Sequence, residues 1–216
     1  MRNNNFIIKI FYSFRFHTIR LLSMRNLKGK KQFDKGAVYL TFDDGPEPGI
    51  TEFILHELKM YNAKATFFCK GENCERHSEL LNRIVIEGHT IANHTFSHID
   101  GWETPFNEYI ANVEKCEKAI GTHLFRPPWG KLTFKQYRHL SKNYKIVLWD
   151  IASGDTELDK FNLEKSLLNL KTNTQKGSIV LFHFCKRHEK ETRQILTLYL
   201  KFLKQENYTT RTLCVE

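Results

Sequence analysis

"AVYLTFDDGP", residues 37–46, begins with six residues that are aliphatic, aromatic or β-branched and ends in two carboxylates and a turn. A strand with one wet face alternates apolar with polar residues, and Ala37–Phe42 does not. Strands buried on both faces belong to parallel sheets, whose crossover helices cover both sides. The Asp-Asp-Gly-Pro that follows is, taken alone, a turn. Its meaning depends on whether the chain repeats the pattern of buried strand followed by polar cluster.

It repeats. "ATFF" (65–68), "HTIANH" (89–94), "LFRPP" (124–128), "KIVLWD" (145–150), "SIVLFH" (178–183) and "TTRTLCV" (209–215) read as six further short strands. Between them lie "ITEFILHELKMYN" (50–62), "SELLNRIVIE" (78–87), "FNEYIANVEKCEKAI" (106–120), "FKQYRHLSKN" (134–143), "LEKSLLNLKT" (163–172) and "ETRQILTLYLKFLKQ" (191–205), with apolar residues at helical spacing. Strands alternating with helices give an α/β chain with a parallel sheet. Seven strands in one domain fit a barrel or a closed-up variant of one, with an open doubly wound sheet as the alternative.

The whole-chain properties agree with one folded domain. The chain has 216 residues, 41% hydrophobic and 13% aromatic, with 17 Phe, which excludes global disorder. Its net charge is +9, but Lys is spread along the chain, so the charge alone does not make a nucleic-acid binder. Five cysteines at scattered spacings, with no CxxC pair, argue against both a disulfide framework and a zinc-cysteine module.

Residues 1–33 differ from the rest and read as a basic N-terminal extension to a catalytic domain spanning 34–216. They hold no acidic residue, while Arg2, Lys9, Arg15, Arg20, Arg25, Lys28, Lys30 and Lys31 alternate with large apolar side chains. No uncharged run approaches the ~20 residues of a spanning helix, and no small-residue cleavage site follows "FIIKIFYSF". Peripheral membrane contact through an amphipathic segment is one reading, and packing against the domain is another. The location is left open between cytoplasm and membrane surface, and the chain is taken as a monomer.

The polar clusters follow the strands. Asp43 and Asp44 come after the first, His94 and His98 after the third, Arg126 at the end of the fourth, Asp150 and Asp155 after the fifth, and His183 at the end of the sixth. In a parallel barrel those ends gather on one face, where active sites are built. Two imidazoles and one carboxylate, with positions left open, suit a catalytic Zn²⁺ or similar divalent ion. His94 and His98 supply the imidazoles, on adjacent turns if the segment after His94 curls into a helix. One of Asp43 and Asp44 supplies the carboxylate; the other, pointing elsewhere from the turn, faces a metal-bound water as general base. Arg126 positions that base through a charge-assisted fork, and His183 protonates a leaving group. The kit suits hydrolysis of an amide or ester.

"TFDDGP", "HTFSH", "RPPWG" and "LFH" resemble, in order, motifs of the polysaccharide deacetylases, the NodB-homology or family 4 carbohydrate esterases. The resemblance runs from about Ala37 to Val215. It implies a distorted (β/α)7 barrel that removes N-acetyl groups from an acetylated glycan of the peptidoglycan or chitin kind. The cofactor it implies is one divalent metal ion, Zn²⁺ first, with Co²⁺ or Ni²⁺ as alternatives. By the same resemblance Asp43 is the catalytic base, and Asp44, His94 and His98 are the metal ligands. Arg126 positions the base and His183 is the general acid. Trp129, Pro128 and Leu181 line the substrate pocket, with the Trp129 N–H on the oxyanion. Two departures stand out. The family places an Asp-Trp pair behind the acid histidine, and "WDIASGDTE" has no Trp after either Asp; Asp150 is carried in the site with Asp155 left open. Phe184 follows His183 where Asp is usual. An amidohydrolase of a non-sugar C–N bond, and a carbohydrate-binding relative with impaired catalysis, remain as alternatives. Exposed Trp102 and Trp129 as stacking platforms would favour sugar.

Overall fold

The computed structural model describes residues 36–157 and 160–214, so the reading of residues 1–33 as an extension lies outside the described residues. The strands are β1 (Ala37–Asp43), β2 (Ala65–Cys69), β3 (Thr90–Asn93), β4 (Leu124–Phe125), β5 (Lys145–Ile146), β6 (Ile151–Ala152), β7 (Ile179–His183) and β8 (Thr209–Thr210). The helices are α1 (Ile50–Met60), α2 (Gly71–Arg76), α3 (Ser78–Ile86), α4 (Phe106–Ile120), α5 (Phe134–Leu140), α6 (Leu163–Asn173) and α7 (Glu189–Gln205). The sheet runs β5-β4-β3-β2-β1-β7-β6, with β8 beside the start of β1, and every pairing is parallel. The result is a curled, distorted (β/α)7 barrel, as the resemblance implies, and not the open doubly wound sheet that the strand count left as an alternative.

β1 shows why its strand lacked a polar face. Val38, Leu40 and Phe42 pack outward with Ile54, Leu58, Leu196 and Tyr199 of α1 and α7. The alternate residues Ala37 and Tyr39 face a second apolar cluster with Phe68, Ala92, Leu124 and Val147. Successive side chains of a strand point to opposite faces, so both faces of β1 are dry. The inward row continues as Thr41 and Asp43 and turns polar only at its C-terminal end.

The expected strand over 145–150 is corrected. Only Lys145–Ile146 pairs, with β4, and the next pairing residues, Ile151–Ala152, join β7 at the opposite edge. Residues 147–150 cross the gap between the two sheet edges. The Val147 N–H donates to Phe125 O at 2.8 Å and the Asp150 N–H to Ile179 O at 2.9 Å. The seam is plugged from inside by Arg126, whose Nε and Nη2 donate to the carbonyls of Val147 and Leu148 at 3.2 and 3.3 Å. All five cysteines are free, and among the described residues no helix is long and apolar enough to cross a membrane.

Candidate active site

The C-terminal ends of the strands surround a cleft of about 710 Å³ that holds Asp43, Asp44, His94, His98, Trp129, Asp155, Leu181 and His183. The acidic turn divides its two carboxylates by backbone conformation. Asp43 is the last residue of β1, and Asp44 has φ 89°, a left-handed value that turns its side chain away from its neighbour's. Gly45 makes this possible for the chain behind, since a Cβ there would lie 2.4 Å from the Phe184 ring.

Asp44, His94 and His98 form one cluster, with their donor atoms all within 4.8 Å of one another. His98 Nε2 is 2.9 Å and His94 Nε2 3.5 Å from Asp44 Oδ1. His94 Nδ1 lies 2.8 Å from the Arg126 carbonyl, so the proton sits on Nδ1 and the Nε2 lone pair faces the cluster. Asp44 Oδ1 is buried, and among the described residues the Nε2 atoms of these two imidazoles are the polar groups it faces. Burial by itself would raise the Asp44 pKa; the two imidazoles outweigh it and hold the carboxyl well below its ordinary value. A buried carboxylate oxygen facing two imidazole nitrogens fits a divalent cation. The segment holding the histidines is not the helix that their spacing suggested. It is a loop in which Thr95 (φ 64°) and His98 (φ 54°) bring the rings together, with centroids 5.1 Å apart.

Asp43 sits beside this cluster. Its Oδ1 accepts from Arg126 Nη1 at 2.7 Å, and its Oδ2 is 3.8 Å from His94 Nε2. Arg126 is fully buried; Nη1 also donates to Thr41 Oγ1 at 2.9 Å, and the guanidinium lies over the Phe68 ring at 4.0 Å. Burial lowers the guanidinium pKa, and Asp43 opposes that shift.

Register places His183 directly opposite Asp43 on the neighbouring strand. The open choice behind His183 is settled by contact. Asp155 Oδ1 lies 2.9 Å from His183 Nδ1, and Asp155 Oδ2 accepts from the His183 N–H at 2.7 Å and from Thr192 Oγ1 at 3.0 Å. Asp150, carried as a catalytic residue, is corrected: its Oδ2 accepts from the Ile179 N–H at 2.9 Å, which pins the seam. Burial would lower the His183 pKa, but Asp155, with Asp44 and Asp43, raises it to about 9. Burial would raise that of Asp155, and His183 lowers it.

Asp155→Asn is expected to drop the His183 pKa from about 9 to near its ordinary 6.5 or below, read by NMR titration of the ring protons in metal-free protein. The sign on stability follows. A raised histidine pKa stabilises fully below 6.5 and the gain is lost as pH rises through about 9. A lowered carboxyl pKa stabilises above 3.8 and the gain is lost at lower pH. The substitution should therefore cost most between those two ordinary values, about 3 kcal/mol for a broken buried pair, and least above pH ~9. A denaturation penalty that grew with alkalinity would contradict the pairing.

A family model described as polysaccharide deacetylase matches residues 30–147, more than half of the chain. The chain belongs to the polysaccharide deacetylase family. A peptidoglycan-N-acetylglucosamine deacetylase of Bacillus cereus is 35% identical over 158 residues, which is 70% of this chain and 57% of that protein. A chitooligosaccharide deacetylase of Azorhizobium caulinodans is 29% identical over 160 residues, 69% of this chain and 74% of that protein. Among solved structures, a peptidoglycan N-acetylglucosamine deacetylase in complex with 4-naphthalen-1-yl-N-oxidanyl-benzamide matches with a TM-score of 0.77 at 32% identity. The match covers 84% of this chain and 87% of that one.

Within this member of the family, the remaining expected residues divide. Leu181 lines the cleft. Trp129, with φ 53°, stands half-exposed with its ring edge against His98, centroids 4.3 Å apart. Pro128 is buried and is not among the cleft-lining residues. Trp102 is also outside the cleft: its Nε1 donates to Leu132 O at 3.1 Å. The second tryptophan of the cleft is Trp149, which sequence reasoning passed over although it stood in "LWD" beside Asp150. Phe184 leaves the site chemically intact, because it points into the core and packs on Phe67 with ring centroids 5.1 Å apart. Cys185, Sγ 3.9 Å from Asp44 Oδ2, and Lys70 also line the cleft and had no motif to mark them.

Proposed function

We propose that this chain is a metal-dependent N-deacetylase of acetylated glycans. The observation that carries the reading is the juxtaposition, at the C-terminal ends of the strands, of a three-donor cluster that could hold a cation, a separate Arg-paired carboxylate and a histidine paired with Asp155. Two imidazoles and a carboxylate favour Zn²⁺, with Co²⁺ and Ni²⁺ as alternatives. A divalent ion held by Asp44, His94 and His98 would polarise the acetyl carbonyl and acidify water.

The chain's own residues supply the proton traffic. Asp43 accepts the proton of the attacking water, while Arg126 fixes the orientation of its carboxylate. His183, with Nδ1 committed to Asp155, presents Nε2 as the donor to the departing nitrogen. The C–N bond breaks as that nitrogen is protonated, and acetate and a free amine leave. Asp155 keeps the imidazole oriented and charged. Leu181 offers an apolar surface to the acetyl methyl group, and Trp129 and Trp149 offer flat faces to sugar rings. The glycan class is supported by relatives named for peptidoglycan and for chitooligosaccharides.

The test is acetate release from N-acetylated peptidoglycan and from chitotetraose by Zn²⁺-loaded enzyme. Release should stop with a chelator and return on adding Zn²⁺ back. An enzyme of proven metal content that releases no acetate from either glycan would refute the reading.

A further inference from the structure

The strand order sorts the cleft into two arcs. Trp129 follows β4 and Trp149 follows β5, so the aromatic groups share one side. Lys70 follows β2 and Arg187 follows β7, and these are the two strands that flank β1. The two cations therefore stand on either side of the strand that carries Asp43 and Asp44.

Neither is spent on the protein. Among the described residues, the ion pairs and side-chain hydrogen bonds include no partner for the Lys70 ammonium or the Arg187 guanidinium. Their backbones, by contrast, are fixed. The Lys70 N–H donates to Gly45 O at 3.0 Å, and its carbonyl accepts from the first turn of α2. Arg187 lies in a 3-10 turn, Lys186–His188, tied across the cleft floor by the Lys186 N–H donating to Glu47 Oε2 at 2.7 Å. Glu47 is the acidic group of this wall, and its other oxygen accepts from Asn73 Nδ2 at 3.4 Å, so both oxygens serve the scaffold. His188 lines the same wall, more than nine-tenths buried, and its Nδ1 has no hydrogen-bond partner. Two unpaired cations on a fixed frame, with the His188 ring beside them, form a surface that a neutral sugar would leave without a counter-charge.

We propose that Lys70, Arg187 and His188 form a subsite for an anionic substituent of the glycan, a carboxylate or a phosphate ester, so that the enzyme selects charged over neutral acetylated sugars. The proposal rests on the deacetylase reading and names the substrate class that reading leaves open. An oxyanion there gains charge-assisted hydrogen bonds from both cations.

The experiment compares matched substrates with the full, Zn²⁺-loaded chain. One pair is a tetrasaccharide alternating N-acetylglucosamine with its 3-O-lactyl derivative, as free carboxylate and as methyl ester. The other is chitotetraose with and without a 6-O-phosphate. In each pair kcat/KM for acetate release is taken as the ratio of anionic to neutral form. The wild-type ratio should exceed about tenfold in at least one pair, through KM, and fall with added salt. The pair that shows it identifies carboxylate or phosphate as the group recognised. Lys70→Met/Arg187→Gln should bring that ratio close to one; because it is a ratio, partial unfolding of the variant cancels. A wild-type ratio near one in both pairs, or a ratio unchanged in the double variant, would overturn the subsite. If none of the four sugars releases acetate, the deacetylase reading fails, and the same ratios measured by equilibrium binding still decide the anion site.

Discussion

His94→Ala/His98→Ala is expected to lose its divalent ion and all measurable acetate release while remaining folded. The double variant removes two of the three donors that lie within 4.8 Å of one another and leaves Asp44 alone. A single carboxylate is a poor match for Zn²⁺ in competition with water, since a catalytic site needs about three protein ligands. The fold should survive for local reasons. His98 sits in a loop, and the ring bond of His94 to the Arg126 carbonyl is worth about 1 kcal/mol, while the His94 N–H keeps its bond to Cys69 O at 3.0 Å in the variant. The loop is also held without the rings: the Thr95 N–H donates to Asn93 Oδ1 at 2.9 Å and the Phe96 N–H to Asn112 Oδ1 at 2.8 Å. Elemental analysis after dialysis, with circular dichroism as the folding control, checks the prediction. A folded double variant that kept one metal per chain would put the ion somewhere other than this cluster.

The strands that were legible are those whose two faces are buried by different neighbours. β1, β2 and β7 read as unbroken apolar runs because helices cover one face and the barrel interior the other. The same logic misled at 147–150. Val147 and Leu148 are as buried as any strand residue, but they fill the seam, and two of their carbonyls accept from Arg126 instead of from a neighbouring strand. Burial reads out in composition; the identity of the hydrogen-bond partner does not. The last segment shows the same limit. Only Thr209–Thr210 pairs with β1, while buried Leu213 is held by its N–H donating to Thr66 Oγ1 at 2.8 Å. The short helix α2, "GENCER", offered too few residues for a helical period to show.

In the site, residue types after strands were legible and pairings were not. Asp150 and Asp155 both follow an apolar run, and only the three-dimensional path shows that the first is drawn into the seam and the second reaches His183. The four-residue spacing suggested that His94 and His98 meet through a helix, whereas two left-handed residues bring the rings together. Left-handed Asp, Thr, His and Trp backbones carry no glycine to announce them. Trp102 and Trp149 are chemically alike; what separates them is that Trp102 donates to Leu132 O while Trp149 borders the cleft.

Asp43→Asn is expected to lower turnover by about 100-fold or more with the metal retained, the size of effect that removing a general base produces. Asp43 stands outside the Asp44–His94–His98 cluster, so its charge is not among the three donors that would hold an ion. The amide of the variant keeps an oxygen that can accept from Arg126 Nη1, so the side chain keeps its place and loses its basicity. It also leaves a fully buried guanidinium without its counterion. Burial already pulls the Arg126 pKa down and Asp43 is what opposes that pull, so a stability loss of about 3 kcal/mol should accompany the loss of turnover. The two effects separate experimentally. Denaturant titration reads the stability, and kcat for chitotetraose at a denaturant-free temperature well below the melting midpoint reads the chemistry, with zinc content measured on the same sample. Were the variant to lose stability yet keep more than about a tenth of wild-type turnover, Asp43 would be the counterion of Arg126 and not the base. The proton acceptor would then have to be sought among the other cleft carboxylates. Of these Asp44 belongs to the cluster with His94 and His98, Asp155 is saturated by His183 and Thr192, and Glu47 is turned to Asn73 and Lys186. Asp155 and Glu47 have both oxygens engaged and Asp44 lies in the cluster with the two imidazoles, so the test decides between Asp43 as the base and Asp43 as the counterion of Arg126.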